Sequence, residues 1–202
     1  MPTIIFLIRH AEKLNWIDNL PPNDQLKKNY IDNHLLSNKG YERAAALVPY
    51  FYNRPEILSL LSNHNLACIC AQDVDNSKDP WGRSERPRET IWPLLQYQPD
   101  SKLNHINSPL ELKLFTKNQL NSLISLIKSG QYNGKSIIIS WSHQQIPEIA
   151  KALGVPSDQV PRKWKKDRFD VTWVIHANQP VPTLLQLPQL LLYGDSPSVI
   201  DL

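Results

Sequence analysis

The segment "FLIRHAEK", residues 6 to 13, changes from apolar to charged at a single point. The apolar run from 3 to 8 is continuous, which is typical of a strand buried on both faces. Arg9, His10 and Glu12 follow this run directly, whereas a strand that merely reaches the surface needs one polar residue there. The segment therefore predicts a functional group of side chains at the end of a buried strand.

Strand-like and helix-like segments alternate along the rest of the chain, and such alternation predicts an α/β fold with a mostly parallel sheet covered by helices. Ser37 is a plausible N-cap for the first helix, and Pro49 is expected to kink that helix or end it early. Further helices are predicted to begin near 84–87, at 120 and at 146. Further strands are predicted at 65–71, 102–107, 135–140 and 170–177, with 183–187 as a pairing partner of the last.

Length and composition indicate one soluble globular domain spanning 1–202, with polar loop insertions at about 11–36 and 72–83. The chain has 202 residues, of which 41% are hydrophobic and 20% charged, and a net charge of +3. Its basic residues are scattered, so nucleic acid is not an expected partner. No apolar stretch approaches the length of a membrane span or follows the pattern of a signal peptide, so no membrane partner is expected.

The two cysteines, Cys68 and Cys70, lie two positions apart in a predicted strand and point to the same face. They are expected to be reduced packing residues, because no further Cys or His stands at a spacing that suits zinc. Reduced cysteines favour a reducing compartment, so the expected location is the cytoplasm.

Charged side chains also follow the other predicted strands. Arg83, Arg86 and Arg88 come after the second strand, Glu111 after the third and His143 after the fourth. Because the carboxyl ends of parallel strands meet at one edge of a sheet, these side chains are expected to form one site with Arg9 and His10. The basic stretch 162–168, "RKWKKDR", is interpreted as a solvated loop.

Four segments, in order, resemble the histidine phosphatase superfamily, which includes phosphoglycerate mutases. "LIRHAEK" is similar to its Arg-His-Gly-Glu signature, and "LLSNKGYERAAAL" to its Leu-Thr-x-x-Gly-x-x-Gln-Ala segment. "SERPRET" is similar to its Ser-x-x-x-Arg-Ala-x-x-Thr pattern, with Arg86 four residues before Thr90, and "SWSHQQIPEIAKAL" to its second histidine block. The resemblance covers about residues 3 to 155 and implies the family's three-layer α/β/α sandwich.

The resemblance implies a phosphate site made by Arg9, His10, Arg86 and His143. Guanidinium groups neutralise the oxygens of a transferring phosphoryl group. A neutral imidazole, with an ordinary pKa of about 6.5, is a good phosphoryl acceptor. His10 would attack phosphorus and become a phosphohistidine, while His143 would hold a phosphate oxygen. No metal and no cofactor is implied.

The sequence departs from the family pattern at three points: Ala11 replaces a glycine, Ser37 replaces a threonine, and Gln144 after His143 removes the His-Asp pair of acid phosphatases. A carboxylate is then expected to protonate the leaving group. Glu111 is the first candidate, because many of the family's branches place their glutamate after the third strand. The alternatives are Glu12, Asp73, Asp75 and Asp79.

These observations predict a metal-independent phosphatase that hydrolyses a small phosphorylated substrate. Two alternatives stay open: a non-catalytic phosphate-binding or scaffolding module of the same fold, and a phosphomutase. The sequence favours no particular phosphorylated substrate and no oligomeric state.

Overall fold

The central feature of the structure, a computed structural model that describes residues 1–14, 34–78, 83–97 and 106–202, is one β-sheet. Its strands are β1 (Ile4–Arg9), β2 (Leu66–Asp73), β3 (Ile106–Thr116), β4 (Ser136–Trp141), β5 (Val171–His176) and β6 (Thr183–Pro188). The strand order among the described residues is β3-β2-β4-β1-β5-β6. The first four in this order are parallel, and β5 is antiparallel to both of its neighbours. The prediction of a mostly parallel sheet is confirmed.

Helices cover both faces of the sheet and give the predicted three layers. They are α1 (Asn38–Asn53), α2 (Pro55–Leu61), α3 (Arg86–Gln96), α4 (Leu120–Lys128) and α5 (Ile146–Ala152). Helices α1, α2 and α3 pack on one face, and α4 and α5 pack on the other. In the described part of the chain, none of the helices has the length and apolar character that crossing a membrane requires.

The alternation of side chains along β1 explains its continuous apolar sequence. Ile4, Phe6 and Ile8 point to the face covered by α1, and the ring centroids of Phe6 and Phe51 are 5.5 Å apart. Ile5 and Leu7 point to the opposite face and belong to the core beneath α4 and α5. Each such large apolar side chain contributes about 1.5–3 kcal/mol when fully buried. The strand that leads to Arg9 and His10 is therefore held firmly from both sides.

The two cysteines are buried and free, as predicted. The Sγ atoms of Cys68 and Cys70 are 3.9 Å apart on one face of β2, within the core beneath α4 and α5. They pack the sheet on the face away from α1.

Two expectations about the elements were wrong, and one helix was not predicted. The third strand is β3 (Ile106–Thr116) rather than 102–107, of which 102–105 lie outside the described residues. Helix α1 continues past Pro49 to Asn53, because the ring lies on an exposed face and other turns of the helix are held by packing. Helix α2 was not predicted, although Pro55 stands at its first turn, where proline is favoured. Most of the predicted insertion 11–36, and 79–82 of the second, fall outside the described residues.

Candidate active site

The carboxyl ends of β1 and β4 lie side by side and bring the two predicted histidines to one edge of the sheet. Arg9 is paired with Trp141 in the sheet register, and the backbone N–H of His10 donates to the Trp141 carbonyl at 3.2 Å. His143 follows two residues after β4 ends. The end of β2 joins them, since the Ser142 N–H donates to the Gln72 side-chain oxygen at 3.2 Å. The prediction that these strand ends meet is confirmed.

Arg9 is almost completely buried and is held in one orientation. Its Nη1 donates to the carbonyl oxygens of Lys165, Lys166 and Arg168 at 3.3, 2.7 and 2.9 Å. The guanidinium carbon lies 3.8 Å from the ring centroid of Phe169, a cation–π contact. The Arg9 Nε is buried with no hydrogen-bond partner among the described residues. A buried donor with this geometry suits an anionic ligand.

Arg9 keeps its charge in this setting. Burial, and then the neighbouring Arg86, lowers the pKa of Arg9 to about 9. The group is therefore still protonated near neutral pH, and its charge is only partly compensated by Asp167 and Glu12. An anion would relieve this unfavourable charge.

His10 is buried and neutral, with one nitrogen already committed. Its Nδ1 lies 2.7 Å from the Ala11 carbonyl oxygen. A carbonyl only accepts, so Nδ1 carries the proton and Nε2 carries the lone pair. Burial first, and then the charges of Arg86 and Arg9, hold the pKa of His10 well below its ordinary value. The imidazole is thus neutral, with the lone pair of Nε2 left for a ligand.

Arg86 and His143 complete the electrostatic environment of His10. Arg86 is the first residue of α3, and its charge acts on Arg9, His10 and His143 alike. Burial, and then the charge of Arg9, lowers the pKa of His143 to about 4, so this imidazole is also neutral at neutral pH. Its Nδ1 is buried and has no hydrogen-bond partner among the described residues. The four predicted phosphate-binding groups therefore lie within electrostatic reach of one another.

The neighbouring Arg88 is committed elsewhere. Its Nη1 and Nη2 contact Asp73 at 3.0 Å and Glu85 at 2.8 Å. These carboxylates neutralise its charge, which favours Arg86 over Arg88 as the cation of the site. Arg83 is half-buried and precedes α3.

Two helices fix the backbone just after His10. The Ala11 N–H donates to Thr90 Oγ1 at 2.8 Å, and Thr90 in turn donates to the Arg86 carbonyl at 2.7 Å. The spacing from Arg86 to Thr90 is therefore one helical turn, with the arginine in the site and the threonine holding the loop. On the other side, a Cβ on Gly40 would lie 2.2 Å from the Glu12 carbonyl oxygen. Only glycine allows α1 to approach the loop this closely.

The N-cap of α1 contributes to the same contact. Ser37 Oγ accepts from the Gly40 N–H at 3.1 Å, as expected of an N-cap serine, and the Ser37 N–H donates to the Glu12 carbonyl at 2.9 Å. The replacement of threonine by Ser37 thus retains the capping hydroxyl.

A buried ion-pair network continues from Glu12. Arg43 is 2% exposed, and its Nη2 lies 2.7 Å from both Glu12 Oε1 and Asp195 Oδ1. These partners raise the pKa of Arg43 despite its burial. Burial alone would raise the pKa of Asp195, but the hydrogen bonds from Arg43 and from the Leu191 and Leu192 N–H groups lower it to about 2. The network ties the loop after His10 to the C-terminal segment.

No protein-family model matches the chain, and no curated protein matches its sequence. Among solved structures it resembles SixA, a candidate phosphohistidine phosphatase from Agrobacterium tumefaciens, at 15% identity and a TM-score of 0.54, over 93% of this chain and 99% of that one. It also resembles a candidate alpha-ribazole-5'-P phosphatase from Escherichia coli K-12 MG1655, at 15% identity and a TM-score of 0.55, over 93% of this chain and 97% of that one. The chain has the histidine phosphatase fold.

Within this histidine phosphatase fold, Glu111 does not occupy the position expected from the sequence. It lies inside β3 and is paired with Cys68 of β2. Cys68 is paired with Ile137 of β4, and Ile137 is paired with Ile5 of β1, so Glu111 is level with Ile5 in the sheet. Ile5 precedes His10 by five residues, which corresponds to roughly 16 Å of strand. Glu111 instead accepts from the Tyr132 hydroxyl at 2.6 Å and pairs with Lys113. The error arose because β3 extends nine residues beyond its predicted end.

The other predicted carboxylates have partners or lie outside the described residues. Glu12 binds Arg43, and Asp73 lies 3.0 Å from Arg88. Asp75 accepts from Ser77 and from Asn118, whose Nδ2 lies at 3.0 Å. Asp79 falls outside the described residues. Asp73 and Asp75, at the end of β2, are nearer the carboxyl edge than Glu111.

The segment 165–169 is the part of the site that sequence reasoning missed. Several of its side chains are exposed to solvent, as expected, but its carbonyl oxygens accept hydrogen bonds from Arg9. The ring of Phe169 packs against the Arg9 guanidinium, and the ring centroids of Phe169 and His10 are 6.0 Å apart. Main-chain acceptors leave no signal in the sequence. Trp141, the last residue of β4, is fully buried, with its indole N–H donating to Gln145 at 2.9 Å.

Proposed function

We propose that the protein is a metal-independent phosphatase that hydrolyses a phosphomonoester through a phosphohistidine on His10. The observation that supports this most strongly is the state of His10: a neutral, buried imidazole whose Nδ1 donates to Ala11 and whose Nε2 carries the lone pair. A module that only binds phosphate has no need of a nucleophile beside two arginines.

In the first step, Nε2 of His10 attacks phosphorus and the bond from phosphorus to the leaving oxygen breaks. The three remaining phosphoryl oxygens carry negative charge throughout, and Arg9 and Arg86 supply cations for them. His143 donates to one of these oxygens. The leaving oxygen takes a proton from a carboxylic acid and departs as an alcohol.

In the second step, water attacks the phosphorus of the phosphohistidine and the P–N bond breaks. Nε2 regains its lone pair, inorganic phosphate is released, and the proton lost by water returns to the carboxylate that acted as the acid in the first step. In both steps Nδ1 keeps its proton and donates it in the hydrogen bond to the Ala11 carbonyl, which holds the imidazole in one tautomer.

Hydrolysis of p-nitrophenyl phosphate should continue unchanged in excess EDTA, because the proposed charge stabilisation comes from Arg9 and Arg86. Within the described residues, no group of three or more His, Cys, Asp or Glu side chains could hold a metal ion. The measurement is kcat/KM before and after dialysis against EDTA. Loss of activity that a divalent ion restores would contradict the mechanism, and absence of turnover in both samples would favour the binding module.

Glu111→Gln should leave hydrolysis of both alkyl phosphates and p-nitrophenyl phosphate nearly unchanged, because Glu111 lies in the middle of β3. We propose that the proton donor is one of the carboxylates after β2. Asp73→Asn or Asp75→Asn should then slow alkyl phosphates by about 10²-fold, the lower end for general acids, and p-nitrophenyl phosphate far less. A selective loss in Glu111→Gln would return the role to Glu111.

A further inference from the structure

A cleft of about 580 Å³ opens beside His143 and is lined largely by the segment after α5. Trp164 and Pro147 are buried and provide apolar surface, while Arg162, Lys163 and Lys166 are exposed along it. This volume lies within the range of small-molecule sites, about 300–1,000 Å³. The cleft borders the phosphate pocket: His143 lines it, and so does Lys166, whose carbonyl accepts from Arg9 at 2.7 Å.

Three lysines lie around this junction in addition to the catalytic arginines. Lys13 follows His10 by three residues and is half-buried. Burial first, and then the charges of Arg86, Arg9 and Lys166, lowers the pKa of Lys13. Lys117, just after β3, donates to the Gln144 side-chain oxygen at 2.8 Å, next to His143.

Among the described residues, two carboxylates near this junction, those of Glu12 and Asp167, act on arginines. Glu12 is committed to Arg43, and Asp167 acts on Arg9. Lys165, on the same segment, already pairs with Asp201 at 2.7 Å. A single phosphate dianion would be matched by Arg9 and Arg86. The charges of Lys13 and Lys117 act on His143, and Lys166 lines the cleft beside it, so excess positive charge remains next to the phosphate pocket.

We propose that Lys13, Lys117 and Lys166 form a second anion subsite, so that the substrate is a small phosphomonoester whose leaving group carries a further phosphate or carboxylate. This inference rests on the proposed phosphatase function and adds a class of substrate to it. The phosphoryl group enters the pocket of His10, and the second anion lies towards the cleft. A leaving group without this anion loses that part of the binding energy.

Calorimetric binding of phosphonates tests the subsite separately from catalysis, because a P–C bond is not cleaved by the proposed reaction. The probes are alkylphosphonates, α,ω-alkane-bisphosphonates and ω-phosphonocarboxylates over a series of matched chain lengths, at one low ionic strength. At the best length, a probe with two anions should bind at least about tenfold more tightly than its alkylphosphonate. The bisphosphonate and carboxylate arms identify which second anion is preferred.

Lys166→Gln and Lys117→Gln should each lower this affinity ratio by about fivefold, the effect of about 1 kcal/mol. Lys128→Gln is the matched control, since Lys128 is an exposed residue of the last turn of α4 and its substitution changes the net charge equally. Equal affinity for one and two anions at every length, or an equal loss in Lys128→Gln, would overturn the subsite. A protein that binds alkylphosphonates but does not turn over p-nitrophenyl phosphate would overturn the phosphatase proposal instead.

Discussion

His10→Ala should lose turnover of p-nitrophenyl phosphate by at least about 10⁴-fold, which is the scale seen when a nucleophile is removed. The reason is that Nε2 of His10 forms the proposed covalent bond and no other described histidine shares its contact with the Ala11 carbonyl. The wild-type protein, quenched rapidly during turnover, should carry acid-labile, base-stable phosphate on His10. The variant should carry none.

His64→Ala is the matched control for the loss of an imidazole. The hydrogen bonds at His64 are made by its backbone, whose N–H donates to Leu61 and whose carbonyl accepts from Ser136 Oγ, so alanine retains them. This variant should keep wild-type activity. His10→Gln fills more of the buried space and provides a second variant in case His10→Ala does not fold. Activity within about tenfold of wild type in a folded His10 variant would contradict the assignment of His10 as the nucleophile.

The strand ends were predictable because a parallel sheet converts sequence order into spatial position. A buried run before Arg9 and another before His143 sufficed to place both at one edge, and β1 and β4 are indeed adjacent. Arg86 was predictable from its distance to Thr90, and the structure gives the physical reason: one helical turn separates the site from the contact with Ala11.

The parts that failed depend on long-range packing or on the main chain. Glu111 is the exception: Leu110, Leu112 and Leu114 alternate with Glu111 and Lys113 as in a strand, but the strand was predicted to end at 107, before Pro109. The network of Arg43 with Glu12 and Asp195 joins residues far apart in the chain, and nothing local to any of them indicates the pairing. The basic segment 162–168 was predicted as a solvated loop because it binds Arg9 through main-chain carbonyl oxygens, which every residue has and which the sequence therefore does not reveal.

The second large effect concerns Arg9, which connects that segment to His10, the proposed nucleophile. Arg9→Lys should lower kcat/KM for p-nitrophenyl phosphate by about 10²- to 10³-fold, as the loss of a donor aimed at transition-state charge does elsewhere. Lysine keeps the positive charge but has no planar fork, so it cannot bind the three carbonyl oxygens and also present a second donor to phosphate. The buried Nε of Arg9, which lacks a hydrogen-bond partner among the described residues, is the donor we assign to the phosphate.

A purely structural role for Arg9 would give a different result, and inorganic phosphate separates the two. If Arg9 contacts the phosphoryl group, the inhibition constant for inorganic phosphate should rise in Arg9→Lys along with the loss of kcat/KM. Arg54→Lys is the control, because Arg54 also donates to a main-chain carbonyl, that of Gln189, but lies at the other end of α1 from Ser37. Unchanged phosphate inhibition in Arg9→Lys would limit Arg9 to holding the segment 165–168, whereas parallel losses would place its guanidinium on the transferring phosphoryl group.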